Sequence, residues 1–225
     1  METIAFLGAS RGLGRAVAGK WSQLEIQPIF VARGKNQLES LNQQCGQGGE
    51  IWIWDFSQVD RIPSLLNRLR EASPDRLIYF AAGGPYGDFS KKDWKDHLWS
   101  LRVSFEAPAH LLHGLLQAEA FPKLKQIIFI GSAIADDQAD PKASSYAAAK
   151  HGLRGLVESV IQEGPKVDLR LFRPGYLDTD LLPANAAPRQ AGEVLDVSMA
   201  ADNFLTWAQN PKGEKVFTLK HPFSE

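Results

Sequence analysis

Seven short apolar runs alternate with longer stretches of helical character, and that alternation restricts the chain to very few architectures. The runs are residues 3–8, 28–32, 50–54, 76–82, 124–131, 167–172 and 215–219. Most are nearly unbroken apolar segments, among them IAFL, PIFVA, LIYFAA and IIFI. Strands of a parallel sheet covered on both faces read this way, whereas a half-solvated sheet would alternate apolar with polar. Helices are expected at 12–24, 35–45, 59–72, 91–118, 145–162 and 192–209. Apolar positions three and four apart, as at Ile62, Leu65, Leu66 and Leu69, support them. Glycine and proline punctuate the junctions at Gly83-Gly84-Pro85, Phe121-Pro122, Gly164-Pro165 and Arg173-Pro174-Gly175. Strict βα alternation predicts a single doubly wound α/β domain over residues 1–225, with helices on both faces of a parallel sheet of about seven strands. Its ligand belongs at the carboxyl ends of the strands. The least regular stretch, 178–192, carries Pro183 and Pro188 and is expected to hang over that edge as a substrate loop.

Composition removes several classes of function. The net charge of −1 provides no bulk attraction to nucleic acid or to an anionic membrane. Cys45 is the only cysteine, so neither an intrachain disulfide nor a cysteine-based zinc site can form. No apolar run approaches the ~20 residues of a membrane span. The opening METIAFLGAS has no basic segment before its apolar residues and reads as a buried strand, not a signal peptide. The expectation is a soluble, cytoplasmic protein with neither nucleic-acid nor membrane partners. His110 and His113 are three apart on a helix, but no acidic or cysteine partner sits at matching spacing. They read as ordinary helix histidines, as do His97 and His151, and no metal is expected. Trp52 and Trp54 alternate with Ile51 and Ile53 and read as packing residues.

The first run ends in Gly8-Ala9-Ser10-Arg11-Gly12-Leu13-Gly14. Glycines at this spacing, between a strand and a helix, allow a sharp turn and let backbone N–H groups approach a pyrophosphate at a helix N-terminus. The second run ends at Arg33, where a site for NAD(H) would usually place an acidic residue on the ribose 2′-hydroxyl. Arg33, with Arg11 in the glycine turn, suits a 2′-phosphate instead and points to NADP(H). Asp55 ends the third strand, where its carboxylate can bond the adenine amino group or cap the following turn.

The segment Ser144-Ser145-Tyr146-Ala147-Ala148-Ala149-Lys150 carries the chemistry. Tyr146 and Lys150 are four apart on a helical stretch and share a face. A nearby ammonium stabilises a phenolate and is expected to lower the tyrosine pKa from its ordinary ~10, making it a proton donor and acceptor. Ser132, after the run LKQIIFIG, can hydrogen-bond the same substrate oxygen. Between Ser132 and Tyr146 lie Asp136, Asp137 and Asp140, which read as a solvated loop or as the rim of a substrate entrance. Tyr86, Phe89, Tyr176 and Leu182 follow strand ends and are pocket-wall candidates.

These motifs together resemble the short-chain dehydrogenase/reductase family, whose Rossmann-type fold binds a dinucleotide. GASRGLG is similar to its cofactor turn, and Ser132, Tyr146 and Lys150 to its catalytic serine, tyrosine and lysine. Arg173-Pro174-Gly175-Tyr176-Leu177-Asp178-Thr179 is similar to its PG-x-x-x-T segment. The resemblance runs from about residue 3 to 180. It implies hydride transfer between a nicotinamide and a carbonyl or carbinol carbon of a small-molecule substrate. Tyr146 would exchange the proton, Lys150 would hold the ribose and tune Tyr146, and Ser132 would orient the substrate oxygen. Gly8, Ser10, Arg11, Gly12, Leu13, Gly14, Arg33, Asp55, Ala81, Ala82 and Gly83 would bind the cofactor. Pro174, Gly175, Leu177 and Thr179 would flank its nicotinamide. A homodimer or homotetramer is implied, built through the helices matching 91–118 and 145–162. Two positions depart from the pattern: Ala81 and Ser104 stand where the family has asparagines. The family's Asp-Gly-Gly near the C-terminus is absent as well. These departures motivate the alternative reading, a catalytically weakened NADP(H)-binding sensor or scaffold.

Overall fold

The strands form because their apolar residues have partners on both sides. The computed structural model describes residues 1–136 and 141–220, so Asp137, Asp140 and His221 lie outside the described residues. The strands are β1 (Glu2–Leu7), β2 (Ile26–Ala32), β3 (Glu50–Ile53), β4 (Arg76–Tyr79), β5 (Gln126–Ile130), β6 (Asp168–Pro174) and β7 (Val216–Leu219). They make one seven-stranded sheet, all parallel, in the order β3-β2-β1-β4-β5-β6-β7. Every expected strand is present, with small shifts at its ends. The order reverses between β1 and β4, and such a reversal opens a crevice above the carboxyl ends of those strands.

The helices are α1 (Gly12–Trp21), α2 (Lys35–Gln44), α3 (Ile62–Ala72), α4 (Trp94–Leu101), α5 (Ala107–Leu115), α6 (Ser144–Gln162), α7 (Ala187–Gln190) and α8 (Val197–Gln209). Alternate residues of one strand serve opposite faces. Ile4 and Phe6 join Val17, Trp21, Leu38, Leu41 and Phe204 on the α1, α2 and α8 side. Ala5 and Leu7 join Leu65, Leu69, Leu111, Leu153 and Val157 on the α3, α5 and α6 side. Trp52 and Trp54 are buried, each with an arginine guanidinium over its ring: Arg68 at 4.1 Å and Arg61 at 4.7 Å. No helix among the described residues is long and apolar enough to cross a membrane.

Two helical expectations are corrected. The stretch 91–118 is not one α-helix: Arg102–Glu106 is a π-helical segment between α4 and α5. Ala107 N donates to the Arg102 carbonyl, five residues back, and in that register the Val103 carbonyl would need the N–H that Pro108 lacks. The Tyr79 hydroxyl donates to that carbonyl instead, at 2.7 Å, from β4. The last long helix starts at Val197 and not at 192, because Asp196 caps it: its Oδ1 accepts from Met199 N at 2.8 Å.

Candidate active site

The crevice at the strand reversal is a cleft of about 810 Å³, within the usual range for ligand pockets. Its floor is the glycine turn. Gly8 has φ +96, and a Cβ there would lie 2.4 Å from the backbone nitrogen of Ala81, so β1 and β4 approach this closely only around a glycine. Gly12 also needs the left-handed region, with φ +55, and Gly14 faces the Gly8 carbonyl with no room for a side chain. Helix α1 then begins without a side-chain cap and without an acidic residue in its first turn. Its leading N–H groups and positive dipole end stay open to an anion.

Arg11 and Arg33 stand on the same cleft, both exposed, and among the described residues neither pairs with a carboxylate. Gln37 and Gly34 lie beside them on the wall. Arg33 rests its guanidinium 5.3 Å from the ring centroid of Trp99 on α4. Asp55 caps its own turn, its Oδ1 accepting from Ser57 N at 2.9 Å and from Ser57 Oγ at 2.8 Å, while still lining the cleft. Both sequence readings of Asp55 are therefore compatible with its position.

The other end holds Ser132, Tyr146 and Lys150 together on one wall. Ser132 follows β5, and its Oγ accepts from Ile134 N at 3.2 Å, which leaves its hydroxyl hydrogen to donate to Tyr146. Small residues let α6 seat against the sheet: Ala147 and Ala149 are buried beside the pair. Lys150 is 1 % exposed and donates to the Ile130 carbonyl at 2.6 Å, with Nζ 5.5 Å from the Tyr146 ring centroid. Burial pushes the Tyr146 phenol up to about 12, against the downward pull of the Ser132 hydrogen bond. Burial pushes Lys150 down to about 7. The lowering of the Tyr146 pKa expected from the pairing is thus reversed in this structure. Desolvation dominates, and the ammonium is turned to a backbone carbonyl.

Of the cofactor-binding expectations, Gly8, Ser10, Arg11, Gly12, Leu13, Gly14, Arg33, Asp55, Ala81, Ala82, Pro174, Gly175, Leu177 and Thr179 line the cleft. Gly83 does not. Its N–H donates to Ser104 Oγ at 3.2 Å, and its carbonyl accepts from Ser100 at 2.7 Å and Ser104 at 3.1 Å. Ser104 is fully buried on that peptide, so it clamps the backbone behind the wall and offers nothing to the cleft. Ser100 and Ser104 are four apart around the π-helical segment, which brings both hydroxyls to one carbonyl.

Tyr86, Tyr176 and Leu182 line the substrate end as expected, with Ile134 and Ala143; Phe89 does not and is 53 % exposed. His151 is occupied by backbone carbonyls, at 2.8 Å from Ala147 and 3.3 Å from Asp136. No group of metal-ligating side chains occurs among the described residues. Asp136 pairs with Arg173 and Arg154 and does not face solvent alone.

Three contributors escaped sequence reasoning. Trp99 forms part of the wall, and Leu181 lies near Gly83 and Trp99. Arg189 on α7 fastens the 178–182 segment, pairing with the Asp178 carboxylate and donating to the carbonyls of Thr179 at 2.9 Å and Leu182 at 3.1 Å. Only the irregular, proline-bearing composition of 178–192 hinted at this loop, and nothing local marks Arg189 as its fastener.

The cleft thus combines a glycine floor, an anion-ready helix end and a wall that holds Ser132, Tyr146 and Lys150. The family model for short chain dehydrogenase matches residues 2–190. The chain belongs to the short-chain dehydrogenase/reductase family, whose members are NAD(P)-dependent oxidoreductases. It is 25% identical over 194 residues to the 3-oxoacyl-[acyl-carrier-protein] reductase FabG of Escherichia coli, covering 84% of this chain and 79% of that one. It is 26% identical over 191 residues to the cyclic-di-GMP-binding biofilm dispersal mediator protein of the same organism, covering 84% and 78%. In fold it is similar to a short-chain dehydrogenase from Sphingobium yanoikuyae solved in complex with NADPH. That superposition has a TM-score of 0.85 at 20% identity and covers 96% of this chain and 87% of the other.

Proposed function

We propose that the protein is an NADP(H)-dependent oxidoreductase that interconverts a carbonyl and an alcohol. The observation that carries this reading is the Ser132–Tyr146–Lys150 wall in the same cleft as a glycine turn and two carboxylate-free arginines. The cofactor fits the residues present: the floor admits no side chain, and Arg11 and Arg33 supply the charge a 2′-phosphate needs. Bound there, the nicotinamide supplies or accepts the hydride. Gly8 to Gly14 would hold the pyrophosphate, Lys150 the ribose, and Pro174, Gly175, Leu177 and Thr179 the nicotinamide end.

The chain's own part is proton chemistry and orientation. A phenol near 12 is protonated at neutral pH, so Tyr146 donates to the carbonyl oxygen during reduction. Ser132, held by Ile134 N, presents its hydroxyl to the same oxygen. A protonated Lys150 stabilises the phenolate that remains. Lys150 loses its proton near 7, so the rate of carbonyl reduction is expected to fall as pH rises through about 7. A kcat/KM profile from about pH 5 to 9 checks this, and a rate that rises with pH contradicts it. Ile134, Tyr86, Tyr176 and Leu182 favour a carbonyl carrying apolar substituents.

Replacing both Arg11 and Arg33 by alanine is expected to weaken NADPH binding by about ten- to a hundredfold and to leave NADH almost unchanged. Titration calorimetry with the two nucleotides measures the difference, and equal losses for both would exclude a 2′-phosphate role. The reading as a whole is tested by following NADPH consumption over a panel of aldehydes, ketones and quinones, with turnover expected for at least one. A second reading, a binding protein with weakened turnover, is favoured by one observation: among the described residues no asparagine lines the cleft. Tight NADPH binding with no oxidation by any carbonyl would select it.

A further inference from the structure

Trp99 packs in part against the core on the α3, α5 and α6 side, yet it also lines the cleft, where the proton chemistry gives it no part. The edge of its indole lies against Gly83: a Cβ on that glycine would sit 2.7 Å from two ring carbons. The neighbouring Ser100 bonds the Gly83 carbonyl at 2.7 Å, which ties this part of α4 to the same peptide. Trp99 remains partly exposed, and it lines the cleft together with Arg33, Asp55, Phe56 and Ala82. Arg33 comes from the end of β2, on the far side of the strand reversal, and spans the cleft to rest 5.3 Å from the indole centroid. Among the described residues its guanidinium makes no ion pair and no hydrogen bond.

With the reacting centre at Tyr146 and the pyrophosphate at the glycine turn, the adenosine half of a dinucleotide falls at this end of the cleft. A flat base needs about 7 Å between two planes, twice the ~3.5 Å contact distance, so the guanidinium and the indole stand too close to admit one as they are. Trp99 is fixed, whereas Arg33 is a long, exposed side chain on a strand end. Arg33 is therefore the member that moves. An indole face and a guanidinium both stack on purines without needing a hydrogen-bond match.

We infer that Trp99 is a cofactor-binding residue of this chain: its indole parks the Arg33 guanidinium across the mouth of the cleft and becomes the stacking surface for adenine when Arg33 swings out. The displaced guanidinium is then free at the ribose edge for a 2′-phosphate. This inference rests on the NADP(H) reading above.

Adenosine 2′,5′-bisphosphate, which has the adenine end and lacks nicotinamide, and reduced nicotinamide mononucleotide, which lacks adenine, separate the two claims. Calorimetric titrations of the wild type, Trp99→Leu and Trp99→Phe with each are the experiment. Trp99→Leu is expected to weaken adenosine 2′,5′-bisphosphate by about tenfold or more, Trp99→Phe by much less, and neither to alter the mononucleotide. The bisphosphate should also quench indole emission in the wild type, and most of that quench should vanish in Trp99→Phe while binding persists. Unchanged bisphosphate affinity in Trp99→Leu would overturn the inference. So would an equal loss for the mononucleotide, which would mean that the ring only props the cleft open. A wild type that binds neither the bisphosphate nor NADPH would overturn the NADP(H) reading itself, and the inference with it.

Discussion

Tyr146→Phe is expected to lower carbonyl turnover by about 10²–10⁴-fold, the usual worth of a positioned general acid. The substitution removes one oxygen. Tyr146 contacts the apolar group of Ile134, Ala143 and Ala147 through its ring, and phenylalanine keeps that contact. The lost atoms are the hydroxyl and its bond with Ser132. NADPH affinity should therefore stay within about twofold of wild type, so that the loss appears in kcat and kcat/KM together. Steady-state kinetics with calorimetric NADPH titration measures both. Undiminished turnover would mean that the proton comes from another group.

Lys150→Met should stabilise the protein near neutral pH while removing activity. Lys150 is 1 % exposed and makes no ion pair among the described residues; it donates to the Ile130 carbonyl and lies against the Tyr146 ring. Burial lowers its pKa from 10.5 to about 7. Between those values the unfolded chain binds a proton that the folded chain does not, so stability rises with pH across that window. The burial cost is therefore fully present below about 7 and gone above about 10.5, and it amounts to about 5 kcal/mol. Methionine avoids this cost but leaves the Ile130 carbonyl without its donor, which costs about 1–3 kcal/mol. A net gain of about 2–4 kcal/mol at about pH 6 is expected, shrinking and then reversing towards about pH 10. Denaturant unfolding at the two pH values measures it. A variant less stable than wild type at the lower pH would show that the ammonium is not held at a cost. A functional residue retained against stability is a common trade in active sites.

The strands and the gathering of Ser132, Tyr146 and Lys150 at one cleft were legible because their signals are local. A run such as IIFI needs cover on both faces whatever surrounds it, and Tyr146 and Lys150 are four apart on one helix. Gly8 is legible for a related reason, since a strand-to-helix turn at that point admits little else. What was hidden depends on partners distant in sequence. The π-helical segment leaves the Val103 carbonyl to the Tyr79 hydroxyl, 24 positions away, because Pro108 has no N–H to offer it. Ser104 reads as a shortened relay residue until the Gly83 peptide is seen to take both its donor and acceptor capacity. Nothing in the sequence marks Trp99 as a cleft residue, because its partner Arg33 comes from the end of a distant strand. The pKa direction at Tyr146 was misjudged for the same reason: spacing shows that the lysine is near, but not that its ammonium points to Ile130 in a desolvated corner.

The central claim is that this cleft passes a hydride between a nicotinamide and a substrate carbon while Tyr146 handles the proton. The most direct measurement supplies NADPH deuterated at the transferred C4 position with a carbonyl that the protein reduces, and locates the label by mass spectrometry. The account predicts one deuterium on the carbinol carbon of the alcohol, with product formation abolished or nearly so in Tyr146→Phe. Product without deuterium at that carbon, or equal product from both proteins, would contradict it.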